Sequence, residues 1–242
     1  MTAVPTQATK RAAPLPPAPA PAPKKRKAAA ATSTCILSSY PIRQLDEETV
    51  TQLRADLDGM DWSAPRSRKF NHEVPRDQVV LSEDGKKTYV YGSGDLPRAV
   101  WPPAIKSLAA TMSAEYGVDY NMILANRYVN GQDSVGWHAD DETNIDQTAP
   151  IVSVSIGAPR PFAIRKTTME DKHDEQCMAP DHTTMQRKGV TKPKKKSIKM
   201  LPENGSYIVM PPGFQFLHEH AVPKTKAVVG VRYNLTLRET TN

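Results

Sequence analysis

Apolar residues recur every three or four positions in two stretches of this chain and every second position in most of its later half. The sequence therefore predicts two helices followed by a run of strands. In the first helix Val50, Leu53 and Leu57 form the stripe, Asp46 stands ready to cap it, Glu47 and Glu48 favour its positive end, and Gly59 can end it. The second runs from Pro103 to Tyr116, with Ile105, Leu108, Met112 and Tyr116 on one side, proline at its start and Gly117 just past its end. Between the two, Val79-Val80-Leu81 and Tyr89-Val90-Tyr91 flank Asp84-Gly85, a hairpin signal. From residue 121 onward the pattern predicts strands over 122–129, 151–156, 161–165, 206–210, 214–222 and 228–237. Helices first and many short strands after is the signature of an α+β fold whose second half is a sandwich or barrel.

Composition changes this picture at the ends. Seven prolines fall in the first 23 residues, and residues 1–34 lack the apolar bulk that would offset their ordering entropy, so they read as a disordered, partly polyproline tail. That leaves 35–242 as one folded domain. The formal charge of +6 sits entirely in the tail, which holds Lys10, Arg11, Lys24, Lys25, Arg26 and Lys27 and no acid; the other 26 basic residues are matched by 26 acidic ones. The domain is thus neutral but unevenly charged. Arg187, Lys188, Lys192, Lys194, Lys195, Lys196 and Lys199 form a second basic run inside 166–204, a polar, aperiodic stretch that reads as a surface insertion. Basic runs of this kind suit a polyanion such as nucleic acid, although a solvated loop has the same composition. Pro23-Lys-Lys-Arg-Lys27 has the form of a nuclear import signal, which predicts a nuclear protein with a share in the cytoplasm. No apolar run is long enough to span a membrane, and Cys35 and Cys177 offer neither a disulfide framework nor thiolate metal spacing. The length suits a monomer.

Candidate chemistry begins at Trp137-His138-Ala139-Asp140, the only His-x-Asp in the chain. In a strand or tight loop residues i and i+2 point the same way, so this imidazole and carboxylate can take adjacent positions on one metal. A second, distant histidine would complete a two-histidine, one-carboxylate face with open positions, the arrangement of non-haem Fe(II) oxygenases. The candidates are His218 and His220, whose equal parity leaves both open.

The last strand carries independent evidence. Arg232, Asn234, Thr236 and Arg238 share one face and Tyr233, Leu235 and Leu237 the other. If the polar face looks into water, this is an ordinary surface strand. If it lines a cavity, two buried guanidinium groups require a counter-anion, and a small dicarboxylate would satisfy both.

These residues resemble the AlkB family of 2-oxoglutarate oxygenases. Asn126-Arg-Tyr128, Ser134-Val-Gly-Trp-His138-Ala-Asp140-Asp141-Glu142, Ala149 to Gly157, His220-x-Val-Pro223 and Arg232-Tyr-Asn-Leu-Thr-Leu-Arg238 follow the family order, and Val74-Pro-Arg76 with the 89–91 segment resembles its substrate-recognition lid. The resemblance implies a double-stranded β-helix, a jelly roll with flanking helices, with a lid and helix over 70–120. It assigns His138, Asp140 and His220 to iron, and prefers His220 over His218 because proline follows in the family register. It places Arg232 on the far carboxylate of 2-oxoglutarate, Arg238 near its keto-acid end, and Asn126, Tyr128, Asn234 and Ser153 around it. Glu142 and Asp141 would meet the flipped base, Arg76 would contact the substrate, and Phe70 is the nearest counterpart of the apolar wedge that repair members insert into duplex DNA. The implied reaction uses Fe(II), 2-oxoglutarate and dioxygen to demethylate N-alkylated bases such as 1-methyladenine and 3-methylcytosine in DNA, releasing formaldehyde and succinate. The alternatives are an RNA demethylase or protein hydroxylase with the same chemistry, a small-molecule oxygenase, or a non-catalytic nucleic-acid-binding module.

Overall fold

Asp46 starts the first helix as its side chain dictates: its carboxylate accepts hydrogen bonds from the Thr49 backbone N–H (2.8 Å) and hydroxyl (2.7 Å), satisfying one orphan donor of helix α1, Glu47–Asp58. A computed structural model describes residues 41–65, 73–87, 96–167 and 196–241 of the chain. Helix α2, Pro103–Tyr116, has no capping side chain of its own. Asp56 of α1 supplies one instead, accepting from the backbone N–H groups of Ala104 (2.8 Å) and Ile105 (3.4 Å). Gly117 ends α2 in the left-handed region at φ 67°, where glycine has no Cβ to clash, whereas Gly59 ends α1 with an ordinary φ of −87°.

Eleven strands form two sheets among the described residues: β1 Ile42–Gln44, β2 Asp77–Ser82, β3 Arg98–Val100, β4 Met122–Tyr128, β5 Val135–His138, β6 Ile151–Gly157, β7 Phe162–Lys166, β8 Ser197–Met200, β9 Ser206–Met210, β10 His218–Val222 and β11 Arg232–Arg238. A short helical turn α3, Phe214–Leu217, leads into β10. The larger sheet has the order β1-β9-β6-β11-β4-β2-β3 and the smaller β5-β10-β7-β8. Only β2 and β3 run parallel. Strands β4 to β11 shuttle between the sheets, so that β4-β11-β6-β9 face β5-β10-β7-β8. This is a jelly-roll order, and the mixed core with its flanking helices resembles a double-stranded β-helix. The two sheets are hydrogen-bonded separately among the described residues, without a strand closing them into a barrel.

Side-chain alternation then sorts the core. The outer face of the large sheet presents Val79, Leu81, Ile123, Ala125, Val152, Val154, Ile156, Leu235 and Leu237 to Leu53, Leu57, Ile105, Leu108 and Met112 of the helices, all of them buried. Each such side chain contributes about 1.5–3 kcal/mol relative to exposure. Inner-facing residues of both sheets, among them Tyr128, Ile151, Phe162, Ile164, Met210 and Phe214, form a second apolar cluster. The rest of the inner face is polar, yet buried.

Three sequence expectations need correction. The stretch 214–222 is not strand throughout, because Phe214–Leu217 closes a helical turn after Gly213, which sits at φ 78°. Strand β11 begins at Arg232 rather than at 228, and the stretch 166–204 contributes β8, which pairs with β7. Strand β2 does form, paired with β4 and β3, but the partner expected at 89–91 lies outside the described residues. So do the tail with its basic run, Phe70, and 168–195 of the basic insertion.

Leu235 is fully buried between sheet and helices. Leu235→Ala is expected to cost about 2–5 kcal/mol of unfolding free energy, read from the urea midpoint, because the packed helices cannot collapse into the space it leaves.

Candidate metal centre

Antiparallel pairing brings the metal-type residues together. In the small sheet His138 of β5 lies directly opposite His220 of β10, and their ring centroids are 4.2 Å apart. Trp137 points to the other side of β5, with the Arg165 guanidinium 4.4 Å above its ring. Two residues past His138 the chain leaves the strand and is pinned at Asp140. The Asp140 N–H donates to Gln215 Oε1 on α3 (2.9 Å), and its carbonyl accepts from Gln147 Nε2 (2.9 Å). One ligand-capable atom from each of His138, Asp140 and His220 lies within 4.8 Å of the others. Asp140 Oδ1 is 3.6 Å from His138 Nε2 and 3.9 Å from His220 Nε2. His218 shares their face but stacks on Phe214 at 4.8 Å and is outside this cluster.

The hydrogen bonds around the donor set fit it to a divalent cation. His138 Nδ1 is 2.9 Å from the Gly136 carbonyl, which can only accept, so the proton sits on Nδ1 and the Nε2 lone pair is free to bind metal. Asp140 is 1% exposed, and its Oδ1 has no hydrogen-bond donor among the described residues. A buried carboxylate oxygen in that state calls for a positive charge. The protonation states are also right. Burial pushes His138 down, and it pushes His220 down to about 3 with the neighbouring His138 ring adding to the effect. Burial alone would raise Asp140, but the Arg238 guanidinium and both imidazoles outweigh it and hold the carboxyl below its usual range. Two neutral imidazoles and one carboxylate are what a two-histidine, one-carboxylate Fe(II) face requires.

Beside the triad, the inner face of β11 meets β4 and β6. Arg232 lies opposite Tyr128 and Asn234 opposite Asn126, while Thr236 lies opposite Ser153. Arg232 is 1% exposed. Its Nη2 donates to Ser155 Oγ (3.0 Å) and its guanidinium lies 5.2 Å from the Tyr128 ring centroid, but Nε and Nη1 have no hydrogen-bond partner and no acid pairs with it among the described residues. Burial pushes its pKa down, the mark of a cation that a bound carboxylate would stabilise. Arg238 differs from the sequence expectation of two arginines awaiting one diacid. Its Nη2 ion-pairs with Asp140 Oδ2 at 2.7 Å, so it has a counter-charge within the chain. Asn234 Nδ2 donates to Ser153 Oγ and to the Val154 carbonyl, both at 2.9 Å. Asp141 is exposed and Glu142 half-buried just beyond the triad. Arg76 is half-buried and turns inward, donating to Asn126 Oδ1 (2.9 Å) and the Ser134 carbonyl (3.3 Å).

Three contributors escaped the sequence reading. Gln215 holds Asp140 from a turn that looked like strand. Gln78 touches Asn126 from β2. Arg160, fully buried, donates to the carbonyls of Asn130 (2.7 Å), Asp133 (2.8 Å) and Pro223 (3.0 Å), which ties three loops together behind Tyr128. An arginine between two prolines in a loop carries no sequence signal for such a role.

These shifts set the acid response of the metal-free protein. In the unfolded chain the imidazoles take up protons near pH 6.5, well above the value to which burial pushes His220. Between those values the unfolded state binds more protons, so stability is lost as pH falls. The urea midpoint is expected to decline steadily from about pH 7 to about pH 4, with Asp140 adding its loss only below about pH 4. A midpoint that is flat or rises on acidification would contradict this.

Comparison with known proteins agrees with the geometry. The profile of the 2OG-Fe(II) oxygenase superfamily matches residues 34–238. The chain is 28% identical to the DNA oxidative demethylase ALKBH2 of Bos taurus over 195 residues, 80% of this chain and 64% of that protein. It is 32% identical to ALKBH2 of Arabidopsis thaliana over 183 residues, 73% of this chain and 57% of that one. Against the alpha-ketoglutarate-dependent dioxygenase alkB homolog 3 of Homo sapiens it is 30% identical over 155 residues, 64% and 49% of the two chains. The chain therefore spans less than two thirds of these relatives' lengths. No helix among the described residues is long and apolar enough to cross a membrane. With a metal face of this donor set, and a profile match over residues 34–238, the chain belongs to the 2OG-Fe(II) oxygenase superfamily and is related to its AlkB-type members.

Proposed function

We propose that this protein is an Fe(II)- and 2-oxoglutarate-dependent dioxygenase that removes N-methyl groups from bases in nucleic acid, DNA in the first instance, with 1-methyladenine and 3-methylcytosine as targets. The observation that carries the reading is the His138-Asp140-His220 triad beside a buried Arg232 that pairs with no acid among the described residues, in a chain similar to proteins named DNA oxidative demethylases. Bound at the triad, Fe(II) with 2-oxoglutarate and dioxygen supplies the oxidising power: one oxygen atom ends in succinate as carbon dioxide leaves, and the other is inserted into a C–H bond of the substrate methyl group.

The chain's own residues do the rest. Arg232 holds the far carboxylate of the co-substrate, with Tyr128 packed along the guanidinium. Asn126, Asn234 and Ser153 line the same polar face, and Arg238 keeps Asp140 ionised while reaching the keto-acid end. His138, whose side chain is 19% exposed against 1% for Asp140, marks the side from which the methyl group arrives. A base must leave its stack to reach that point, and a methyl group on the pairing edge lowers the energy of doing so because pairing is already lost. Glu142, with Asp141 beside it, accepts a hydrogen bond from the exocyclic amine of the extruded base. The hydroxymethyl product collapses by breaking the N–C bond: the hydroxyl proton is lost, formaldehyde departs, and the ring nitrogen keeps the electron pair. The basic residues of the tail and insertion hold phosphates, and the 23–27 run directs the protein to the nucleus.

Purified protein with Fe(II), 2-oxoglutarate and an oligonucleotide bearing 1-methyladenine is expected to release formaldehyde and succinate in equal amounts. His138→Ala or Asp140→Ala should abolish turnover with the circular dichroism spectrum retained. Absence of turnover on every methylated DNA and RNA base tested would refute the substrate assignment, and turnover confined to RNA would move it to that polymer. Arg232→Ala is expected to raise the KM for 2-oxoglutarate by about 100-fold, the loss of a charge-assisted pair, with a much smaller effect on the KM for oligonucleotide.

A further inference from the structure

The large sheet carries a row of polar side chains across its inner face. Gln78 of β2 lies opposite Asn126 of β4, Asn126 opposite Asn234 of β11, and Asn234 opposite Ser155 of β6; all four are buried. An asparagine amide has almost the same shape either way up, but the two orientations are chemical opposites. Presented nitrogen-first to a pocket it attracts a carboxylate; presented oxygen-first it repels one.

Two donors settle which way Asn126 stands. Its Oδ1 accepts from Gln78 Nε2 and from Arg76 Nε, each at 2.9 Å. Gln78 alone would decide nothing, since its own amide can turn over together with that of Asn126. Arg76 cannot turn over in this sense: a guanidinium nitrogen only donates, and a reversed Asn126 would set N–H against N–H. The oxygen is thus committed toward β2, and Nδ2 is what Asn126 has to offer the pocket. Arg76 also donates to the Ser134 carbonyl (3.3 Å), while the Ser134 N–H donates to the Pro75 carbonyl (2.8 Å), so the segment before β2 is fastened to the entry of the His138 strand.

We infer that Arg76 and Gln78 are positioning residues for 2-oxoglutarate: they hold the Asn126 amide nitrogen toward the co-substrate carboxylate, and through Arg76 that orientation depends on the 73–76 segment being docked on the metal strand. The inference rests on the proposed contact between Asn126 and the co-substrate. It also gives Arg76 an inward task in place of the direct substrate contact expected from the sequence.

The test is equilibrium binding of 2-oxoglutarate to the full chain loaded with Mn(II), which holds the site without turnover, measured by calorimetry. Arg76→Met and Gln78→Glu are each expected to weaken binding about tenfold or more, the loss expected when a polar group turns the wrong end to an anion. Mn(II) affinity and melting temperature should stay close to the parent values. In Gln78→Glu the new carboxylate takes the Arg76 guanidinium from Asn126 Oδ1 and draws the Asn126 nitrogen to itself, away from the pocket; if the buried charge prevents folding, Arg76→Met alone carries the test. In an Asn126→Ala background the same substitutions should have no further effect on binding. Undiminished losses in that background, or no loss at all from Arg76→Met and Gln78→Glu while Asn126→Ala alone weakens binding, would overturn the positioning role. Unchanged binding by Asn126→Ala itself would instead refute the underlying contact, and the inference with it.

Discussion

Asp140 and Arg238 meet at 2.7 Å in the interior, 1% and 2% exposed at their side chains, and the rest of the site follows from keeping that pair ionised. An isolated buried carboxylate would take up a proton and cease to be a metal ligand. The guanidinium prevents this without occupying Oδ1, which faces the two imidazole nitrogens. Arg238 closes the last strand, β11, and Asp140 lies just beyond β5 in the other sheet. The ion pair therefore spans the sandwich, and it can form only if both inner faces are polar at that level. Breaking one partner of such a pair leaves the other charged and buried, which is far more costly than the pair itself.

Polarity inside a sandwich has to be offset elsewhere, and the molecule does this by moving its main apolar core outward. The helices α1 and α2 cover the outer face of the large sheet with the Leu53, Leu57, Ile105, Leu108 and Met112 side chains. A strand such as β11 is thereby buried on both faces, polar toward the pocket and apolar toward the helices. Arg232 stands at the end of that polar face away from the ion pair. Its guanidinium is the one inner-face cation of the strand that finds no acid among the described residues, so a bound dicarboxylate would complete the electrostatics there.

What the sequence made legible was whatever depends on local periodicity. The Asp46 cap, the Pro103 to Gly117 limits of α2 and the two faces of β11 were all readable, because capping and alternation are local rules. His138 and Asp140 were readable as a pair through their spacing, but parity could not choose between His218 and His220. The pairing register of β10 against β5 makes that choice in space, and the family resemblance had made it in words. What remained hidden depends on tertiary position. Phe214–Leu217 looks like strand because aromatic and apolar residues favour strands, and the turn follows from Gly213 instead. Gln215, Gln78 and Arg160 are single polar residues whose contacts around the site lie between 27 and 75 positions away, with no local pattern to announce them.

One metal face and one guanidinium without an acid would together form a single site for a metal-bound diacid. The most direct measurement is a crystal structure of the chain with Fe(II) and 2-oxoglutarate grown without oxygen. The expected result is one iron bonded by His138 Nε2, His220 Nε2 and a carboxylate oxygen of Asp140, with the far carboxylate of 2-oxoglutarate paired to Arg232. Iron bound elsewhere, or a co-substrate that leaves Arg232 without an anion, would contradict it.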